Sequence, residues 1–499
     1  MKLECDVLVV GAGASGLSAA IEAADHGAGV IVLEKNSMPG GSSRLSVGSI
    51  NAAGSSLQKR AGIVDTPDEH FADMDHFMGP FAGKDNLALR RLLVDNAAAS
   101  LEWLMSHGLC FYGPTADPPH RHPRMHNVLP NSRAYPYYLG RAARRRGVDI
   151  RLDAPVLQIL RDEGDGGVRG ALARIGGQPV EVLARSGVVL ASGDYSNDPE
   201  IKQRFRPELA AIPAINPTAT GDGHKLGEAL GARMVNGEVV YGPGLRFMEP
   251  SQPSLVRRLP PSWLLGKLMQ WALNSLPASL FRPFVMSFMT ASLGPEAALL
   301  RAGAVLVNRE GRRFVDELVQ PGLAIAQQPA GHAWLVFDSR VAQMFSGPPH
   351  YVSTAPGVAF AYLPDYQRHR PDLYHRADSL EALASSVGLP PDALRQAIDS
   401  HNAGLVTDTA RAGGVVQGPF HALGPLESRI VITDGGLAVN TSHQVLRGDE
   451  VVPRLYAAGA VGQGGALLAG NGHHICWAVT SGRRAGRFAA QRLAPQPLA

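Results

Sequence analysis

Cysteine is scarce in this chain. Only Cys5, Cys110 and Cys476 are present, and no two of them form a CxxC pair. A disulfide framework needs closely spaced cysteines, and an iron–sulfur cluster or an attached haem needs clustered ones. The sequence therefore predicts none of these in this chain, and it predicts a reducing compartment, which we take to be the cytoplasm.

Strong net charge and a secretory start are also missing. The formal net charge is +3 over 499 residues, a surplus too small to indicate nucleic-acid binding. The opening MKLECDVLVV places acidic residues within an apolar run, unlike the basic start of a secretory signal. With 45% hydrophobic and 18% charged residues, the composition is that of a folded protein. The length suits two or three domains, or a two-domain unit with an insertion.

Glycine is abundant, and its 56 residues cluster in short motifs. Within residues 6–35 an apolar run meets a GxGxxG turn, an alanine-rich helical stretch and a second apolar run that ends at Glu34. In such a unit Gly11 allows the tight turn, Gly13 lets the backbone approach a pyrophosphate, and Gly16 lets helix and strand pack closely. Glu34 stands where a carboxylate binds a ribose hydroxyl, and the helix N-terminus faces the phosphates. This unit predicts a dinucleotide site.

The next segment, PGGSSRLSVGSINAAG at 39–54, resembles the flavoprotein subunits of the fumarate reductase and succinate dehydrogenase superfamily, which includes the 3-ketosteroid dehydrogenases. The resemblance continues in order through VVLASGDYSND (188–198), TATGDGHKLGEALGA (218–232), LVNREGRRFVDE (306–317), ITDGGLAVN (432–440), LYAAGAVGQGG (455–465) and GRRAGRFAA (482–490). It implies FAD and an α/β fold, in which a Rossmann-type FAD-binding domain carries an inserted α+β cap domain. We expect the FAD-binding domain at 1–240, the cap or substrate domain at 241–430, and the C-terminal return of the FAD-binding domain at 431–499.

The same resemblance assigns residues to the cofactor. Some relatives attach FAD through a histidine just after the paired glycines, where this chain has Ser42; no histidine lies between 27 and 69, so we expect non-covalent FAD. In relatives, the helix that begins near 470–475 points its positive end at the flavin pyrimidine, which stabilises the anionic reduced flavin. The expected cofactor contacts are Gly11, Gly13, Ala14, Ser15, Gly16, Glu34, Lys35, Gly41, Ser42, Ser43, Ser46, Gly48, Val156, Ala191, Ser192, Gly193, Asp222, Gly459, Ala460, Gly472, His474 and Ile475.

A proline occupies the expected position of the proton-transferring residue. Hydride transfer at flavin N5 must be matched by loss or gain of a proton on the neighbouring carbon. Four residues after the glutamate of the block at 306–317, fumarate reductases have an arginine and 3-ketosteroid dehydrogenases a tyrosine; this chain has Pro321. The dicarboxylate-binding residues of fumarate reductases are missing as well, since their places hold Ile432, about Ala469 and the segment VVYGPG at 239–244. Succinate and fumarate are therefore disfavoured as substrates.

A pocket without those charged residues favours an apolar carbonyl substrate, and few residues are candidates to contact it. His473 lies at the flavin-facing helix start and is either catalytic or a plain flavin contact, and Asn471 either donates to a carbonyl or only shapes the turn. Tyr241 begins the cap where relatives contact substrate, and Tyr351 and Tyr362 lie further along it. All three tyrosines could instead be packing residues. Water or the substrate itself could also carry the proton.

One stretch of the cap, residues 260–294, does not resemble the superfamily. Its first half has apolar and polar residues on opposite faces, typical of an amphipathic helix. The apolar face comprises Leu265, Leu268, Met269, Ala272 and Leu276, and the polar face Lys267, Gln270 and Asn274. No run of about 18 uncharged apolar residues occurs, so the stretch does not span a membrane. Three interpretations stay open: packing on its own domain, peripheral contact with the inner face of the membrane, or an apolar mouth for substrate.

The leading hypothesis is an FAD-dependent dehydrogenase or reductase acting on CH–CH groups. It would introduce or reduce a C=C bond next to a carbonyl in an apolar, cyclic or steroid-like substrate, closest in character to the 3-ketosteroid dehydrogenases, and exchange electrons with an unidentified acceptor or donor. Two alternatives stay open: an enoate reductase similar to fumarate reductase and fed by an external donor, and a flavoprotein of this fold with different chemistry. We expect Arg313 and Glu317 to pair structurally, no metal site and no nucleic-acid partner.

Overall fold

The computed structural model describes residues 2–164, 166–250, 255–355, 359–405 and 413–491. The strands are β1 (Lys2–Val10), β2 (Val30–Leu33), β3 (Ser49–Asn51), β4 (Cys110–Thr115), β5 (Met125–Leu129), β6 (Asp149–Arg151), β7 (Val156–Arg161), β8 (Val168–Ile175), β9 (Gln178–Leu190), β10 (Met234–Val235), β11 (Val240–Tyr241), β12 (Gly244–Phe247), β13 (Val305–Asn308), β14 (Ala333–Phe337), β15 (Ser353–Ala355), β16 (Ala359–Ala361), β17 (Tyr374–Ala377), β18 (Phe420–Arg429), β19 (Ile432–Thr433), β20 (Gly436–Leu437), β21 (Gln444–Arg447) and β22 (Glu450–Ala457). The α-helices are α1 (Ala14–Asp25), α2 (Gly41–Leu45), α3 (Ser56–Arg60), α4 (Pro67–Asp73), α5 (Asp75–Met78), α6 (Leu87–Ser106), α7 (Ala134–Arg145), α8 (Pro199–Phe205), α9 (Asp222–Glu228), α10 (Leu255–Arg258), α11 (Trp263–Ser275), α12 (Ala278–Ser292), α13 (Ala297–Arg301), α14 (Pro321–Ala326), α15 (Ser339–Met344), α16 (Leu363–His369), α17 (Leu380–Val387), α18 (Pro391–Gly404) and α19 (His473–Ala490). Short 3₁₀ helices lie at Gly79–Lys84, Pro207–Leu209, Pro329–Gly331 and Gly459–Gly462.

The nucleotide-binding half is built on an eight-stranded sheet. Strands β21, β22, β9, β1, β2 and β6 lie side by side, and β8 and β7 continue from β9. The central pairs β1–β2, β1–β9 and β9–β22 are parallel. Their residues near the cofactor end are buried, as expected for parallel strands covered on both faces. Because parallel strands end at one edge, the turn after β1 meets the segment after β9, where Ala191 N donates to Val10 O at 2.8 Å.

The first and last helices of this half, α1 and α19, pack backbone against backbone. A Cβ on Gly482 would lie 2.3 Å from Ser15 O, and one on Gly486 would lie 2.1 Å from Ala19 O. Only glycine permits such an approach. The two contacts advance in the same direction along both helices, so α19 runs parallel to α1 and its first turns extend beyond the start of α1.

Residues 244–429 build a second, α+β unit. Its five-stranded sheet joins β12, β18, β14 and β13 in that order, with β17 also paired to β18. Two buried apolar clusters flank it, one containing Phe337 and Leu423 and the other Val336 and Ala422, since alternate residues of a strand face opposite sides. The chain then returns to the first sheet through β22. The predicted fold class is confirmed, whereas the predicted domain boundaries stay predictions.

The amphipathic stretch folds as α11 and α12, and one residue of its predicted polar face contacts β4. Gly266 packs against Cys110, and Gln270 Nε2 donates to Phe111 O at 2.7 Å. A strand carbonyl therefore satisfies the amide of Gln270, a residue of the predicted polar face, inside the contact. The outward side carries Trp263, Leu264, Leu268 and Trp271, which are 54%, 72%, 56% and 57% exposed. Within the described ranges, no helix is long and apolar enough to cross a membrane.

Replacing Gly486 by alanine tests the packing of α1 on α19. The added methyl would overlap Ala19 O, so we expect the free energy of unfolding to fall by roughly 1–3 kcal/mol. Thermal melting of the FAD-loaded protein measures the change. The matched control is Gly347→Ala, where a Cβ meets nothing within 4 Å. Equal melting temperatures for Gly486→Ala and the wild type would contradict the close approach.

Candidate active site

A narrow space, which we name the cofactor cavity, lies at the edge where β1, β2 and β9 end. Its wall is formed by the glycine turn after β1, by α2, by the segment after β9 and by the first turns of α19. Motifs from both ends of the chain thus meet in one site. The predicted cofactor residues on this wall are Gly11, Gly13, Ser15, Glu34, Lys35, Gly41, Ser42, Ser43, Ser46, Val156, Ala191, Ser192, Gly193, Asp222, Gly459, Ala460, His474 and Ile475.

The chemistry of this wall fits a dinucleotide. A Cβ on Gly11 would lie 2.5 Å from Ala191 O, so the turn admits no side chain. A Cβ on Gly13 would meet no atom closer than 3.8 Å, which leaves room for a pyrophosphate to approach the backbone. Glu34 is buried and accepts a hydrogen bond from Ala12 N at 2.8 Å. Its carboxylate is therefore fixed at the end of β2, where a ribose hydroxyl would bind.

Four residues predicted to contact the cofactor are not on this wall: Ala14, Gly16, Gly48 and Gly472. The two later glycines face protein atoms. A Cβ on Gly48 would lie 2.5 Å from Val128 Cγ1, and one on Gly472 would lie 2.8 Å from Asn51 N. These positions serve the packing of the turns that support the wall.

Sequence reasoning missed part of the wall. Val10, Leu33 and Gly40 adjoin predicted motifs, and extending those motifs would have found them. The remainder lies partly within the family blocks, as Asp194, Thr218 and Gln463 do, and partly outside them, as Asn216 does. The folded chain brings Asn216 to Ser42, where its Nδ2 donates to Oγ at 2.8 Å. The remaining unpredicted wall residues are Asn36, Ala154, Asp194, Asn216, Thr218, Ala219, Leu226, Ile432, Gln463, Leu468, Trp477 and Ala478.

A second space, which we name the apolar cavity, adjoins the cofactor cavity across residues 44–49, and Ser46 contributes to both. Its volume is about 1140 Å³, and its walls include β5 and sides of α11 and α12. Asn471 lies on this wall and donates from Nδ2 to Asp117 Oδ1 at 3.0 Å. The cavity is not wholly apolar, because five arginines also line it: Arg44 from the segment at 39–54, and Arg133, Arg257, Arg258 and Arg282 from outside the family blocks.

A hydrogen-bonded triad centred on the buried Asp434 lies behind the cofactor cavity. Asp434 Oδ2 accepts from Tyr241 Oη at 2.6 Å and from Leu468 N at 2.8 Å, and Asp434 Oδ1 lies 2.7 Å from His474 Nε2. Burial alone would raise the pKa of Asp434, but His474 and these hydrogen bonds hold it below its ordinary value. Burial and the neighbouring carboxylate raise the pKa of Tyr241, so it stays a phenol. His474 therefore faces the cavity with an ionised carboxylate behind it.

Asp194 is a second titratable group on the wall of the cofactor cavity. It is buried, and its carboxyl accepts from Thr433 N at 3.2 Å and from Ser196 Oγ at 3.1 Å. Burial raises the pKa of Asp194 to about 6. A carboxyl that titrates near neutrality beside a cofactor is a candidate proton carrier. The sequence analysis did not single it out.

His473 lies on neither cavity wall but in a buried cluster with His70 and His120. Its Nδ1 lies 2.6 Å from Ala469 O and its Nε2 lies 3.1 Å from His70 Nε2. Burial lowers the pKa of His473 to about 4 and that of His120 to about 2, so both rings are neutral. The three rings are close enough to hold a metal ion. Asn51 Nδ2 lies 3.2 Å from His120 Nε2 and 3.4 Å from His473 Nε2, and it donates to Asn471 O at 2.6 Å.

The remaining candidates lie away from both cavity walls. Tyr351 packs on a phenylalanine ring with the centroids 4.8 Å apart, and Tyr362 precedes α16. The expected pair of Arg313 and Glu317 is confirmed, with Nη2 2.8 Å from Oε2. Pro321 begins α14. Neither cavity therefore has a protein proton carrier at the position where the superfamily places one.

The comparison with known families defines the class of protein. Residues 6–259 and 266–472 match the family model described as an FAD binding domain. These ranges are most of the chain, so the chain belongs to this FAD-binding family. The prediction of an FAD-dependent oxidoreductase of the fumarate reductase superfamily is confirmed.

Particular relatives match along almost the whole chain. Over 507 residues the chain is 27% identical to a probable fumarate reductase of Shewanella frigidimarina, covering 97% of this chain and 74% of that protein. Over 526 residues it is 28% identical to the vinyl phenol reductase of Lactiplantibacillus plantarum, covering 97% of this chain and 96% of that protein. Its fold matches the open conformation of a flavocytochrome c3 fumarate reductase with a TM-score of 0.73 and 25% identity, covering 99% of this chain and 79% of that one.

The raised pKa of Asp194 makes the stability of the folded protein depend on pH. Its pKa of about 6 in the folded protein lies above the ordinary value of 3.8, so the folded state binds more protons between these values and its stability falls as pH rises through them. Asp194→Asn removes this titration. We expect the melting temperature of the variant, relative to that of the wild type, to rise from about pH 4 to about pH 7. A difference that is the same at every pH would contradict the raised pKa.

Proposed function

We propose that this protein introduces or reduces a C=C bond next to a carbonyl in an apolar, cyclic or steroid-like substrate, in the manner of the 3-ketosteroid dehydrogenases. The apolar cavity carries this proposal, because its 1140 Å³ adjoin the cofactor cavity across residues 44–49. Ligand pockets commonly measure about 300–1000 Å³, so a fused ring system fits. The missing dicarboxylate-binding residues support a substrate other than succinate or fumarate.

The cofactor would be held without a covalent bond, since Ser42 stands at the position of the attaching histidine. The glycine turn would bind the pyrophosphate, and Glu34 a ribose hydroxyl. Bound FAD takes or supplies the hydride. The N-terminus of α19 would place positive charge near the flavin.

His474 is the residue best placed to hold the proton of this reaction. It lines the cofactor cavity, and its Nε2 lies 2.7 Å from Oδ1 of the buried Asp434. Tyr241 fixes the other oxygen of that carboxylate, so it is a positioning residue in this proposal rather than a substrate contact. This arrangement would replace the family residue whose position Pro321 occupies.

Asn471 is the proposed donor to the substrate carbonyl. It lines the apolar cavity, and Asp117 holds its side-chain amide through one N–H, which leaves the second N–H for a ligand. Burial raises the pKa of Asp117. A fixed donor at a carbonyl oxygen stabilises the charge that develops there.

A second candidate function is reduction of an enone or enoate with electrons from an external donor. The two relatives compared by sequence are both named reductases, which favours this direction. The same cavities and the same proton residue would serve it, because the reaction is the reverse of desaturation.

Anaerobic mixing of the FAD-loaded protein with a panel of steroid and cyclic ketones, then with succinate, tests the function. We expect a ketone to bleach the oxidised-flavin band near about 450 nm and succinate to leave it unchanged. For the reductive alternative, dye-reduced protein would be reoxidised by an enone. No change in the flavin spectrum in either direction would mean that this fold carries out different chemistry.

His474→Gln and Tyr241→Phe locate the proton residue in the same assay. His474→Gln should slow the flavin reaction by about 100-fold or more, because it removes the imidazole that would transfer the proton. Tyr241→Phe should shift the pH profile of the rate with a smaller loss, since only the support of Asp434 changes. Tyr351→Phe is the matched control and should leave the rate unchanged. An unaffected rate in His474→Gln would exclude this residue as the proton carrier.

We also propose peripheral contact of α11 with an anionic lipid surface. Its exposed tryptophans and leucines would sit in the interface, with Lys267 beside them. The helix also forms a wall of the apolar cavity. An apolar substrate could then pass from lipid to cavity without crossing water.

Sedimentation with lipid vesicles tests this contact. We expect binding to vesicles of phosphatidylglycerol and phosphatidylcholine, weaker binding to phosphatidylcholine alone, and several-fold less binding for Trp263→Ser combined with Trp271→Ser. The control is Val64→Ser, which removes an apolar side chain that is 83% exposed in another part of the chain. If the double variant binds as the wild type does, α11 is not the contact.

A further inference from the structure

Positively charged side chains line part of the apolar cavity. Among the described residues its lining holds five arginines and no aspartate or glutamate. Cations next to apolar surface are normally paired, because an unpaired charge there is costly. Two of these arginines are paired outside the lining, Arg257 with Glu249 at 3.5 Å and Arg282 with Asp365.

Arg44 and Arg133 differ from these two. In the part of the chain that the structure describes, neither makes an ion pair; Arg133 Nη1 donates to Arg257 O at 3.0 Å. Their segments are fastened together, since Ser132 Oγ donates to Arg44 O at 2.7 Å. Burial and the charge of Arg133 lower the pKa of Arg44. Arg44 Nη1 donates to Met38 Sδ, so neither guanidinium group has a carboxylate partner among the described residues, and a bound anion would offset the repulsion between the two charges.

The opposite side of the cavity is hydrocarbon. Helices α11 and α12 contribute a continuous apolar wall, formed by Leu268, Met269, Ala272, Leu273, Phe281, Phe284, Val285, Met286, Phe288 and Met289. A wholly apolar ligand would leave the two guanidinium groups unpaired against hydrocarbon, and a small dianion would leave this wall in contact with water. Only a ligand with both parts satisfies the whole lining.

We infer that the apolar cavity binds an amphiphilic anion, in which a long or ringed apolar body carries one carboxylate or phosphate that Arg44 and Arg133 bind together. The inference rests on the proposed function in one respect, since it takes this cavity to be the substrate's. It narrows the substrate class from an apolar carbonyl compound to one that also carries an acidic group. The apolar body of the ligand then lies along α11 and α12.

Calorimetric titration of the FAD-loaded protein tests the inference. The probes are dodecanoate, dodecyl phosphate and dodecanol, each below its micelle concentration. We expect at least one of the two anions to bind about tenfold or more tightly than dodecanol, as a charge-assisted hydrogen bond implies. The preferred anion identifies the head group. Equal affinities for all three would overturn the inference.

Substitutions test which residues cause the preference for the anion over dodecanol. Arg44→Gln combined with Arg133→Gln should remove the preference for the anion and leave dodecanol binding unchanged, whereas Arg447→Gln, an exposed control paired with Glu450, should change nothing. Ala272→Trp should weaken all three probes, because it fills the cavity. A double variant that keeps the preference, or an Ala272→Trp protein that binds as before, would place the anion elsewhere.

Binding is read here without turnover, so the outcome is separable from that of the flavin assay. If no ketone or enone changes the flavin while the anions bind, the proposed reaction fails and the ligand class stands. If the flavin responds to neutral ketones and no anion binds preferentially, the reaction stands and this inference fails.

Discussion

Backbone packing between α1 and α19 is the constraint on which the site depends. Gly482 and Gly486 let the last helix lie directly on the carbonyls of Ser15 and Ala19. Because the two helices are parallel and in contact, the first turns of α19 reach past the glycine turn to the cofactor cavity. His474 and Ile475 stand on its wall for that reason. A side chain at either glycine would move this helix start away from the residues that hold the dinucleotide.

Asp434 connects the three parts of the chain that surround the reaction site. It accepts hydrogen bonds from Tyr241 and from the backbone of Leu468, and it lies beside His474 on α19. A buried carboxylate without partners would be protonated or would destabilise the fold. Its partners keep it ionised, and in doing so they couple the strand that leads into the second unit to the helix that lines the cofactor cavity.

The apolar cavity differs from the substrate site that the superfamily resemblance implies. The superfamily's position for the proton residue holds Pro321, and its dicarboxylate-binding positions hold apolar or glycine-rich segments. Positive charge appears instead at Arg44 and Arg133, at the edge of a cavity whose opposite wall is α11 and α12. The cofactor end of the fold needs fixed glycines and a carboxylate, whereas the substrate end tolerates such changes because only side chains differ.

The sequence by itself determined the class of fold and predicted most of the residues that line the cofactor cavity. Those signals are local: a glycine turn between two apolar runs, a carboxylate at the end of the second run, and blocks in a fixed order. Tertiary structure alone decided which residues act together. Tyr241 and Asp434 are 193 residues apart in sequence, and His70 and His473 are 403 apart, so no spacing rule relates them. The prediction for His473 placed it beside the flavin, but an α-helix turns about 100° per residue, and the ring that reaches the cofactor cavity is its neighbour His474. For the same reason, the sequence did not indicate that arginines line the apolar cavity. Whether a side chain has a partner is decided only when distant segments pack together.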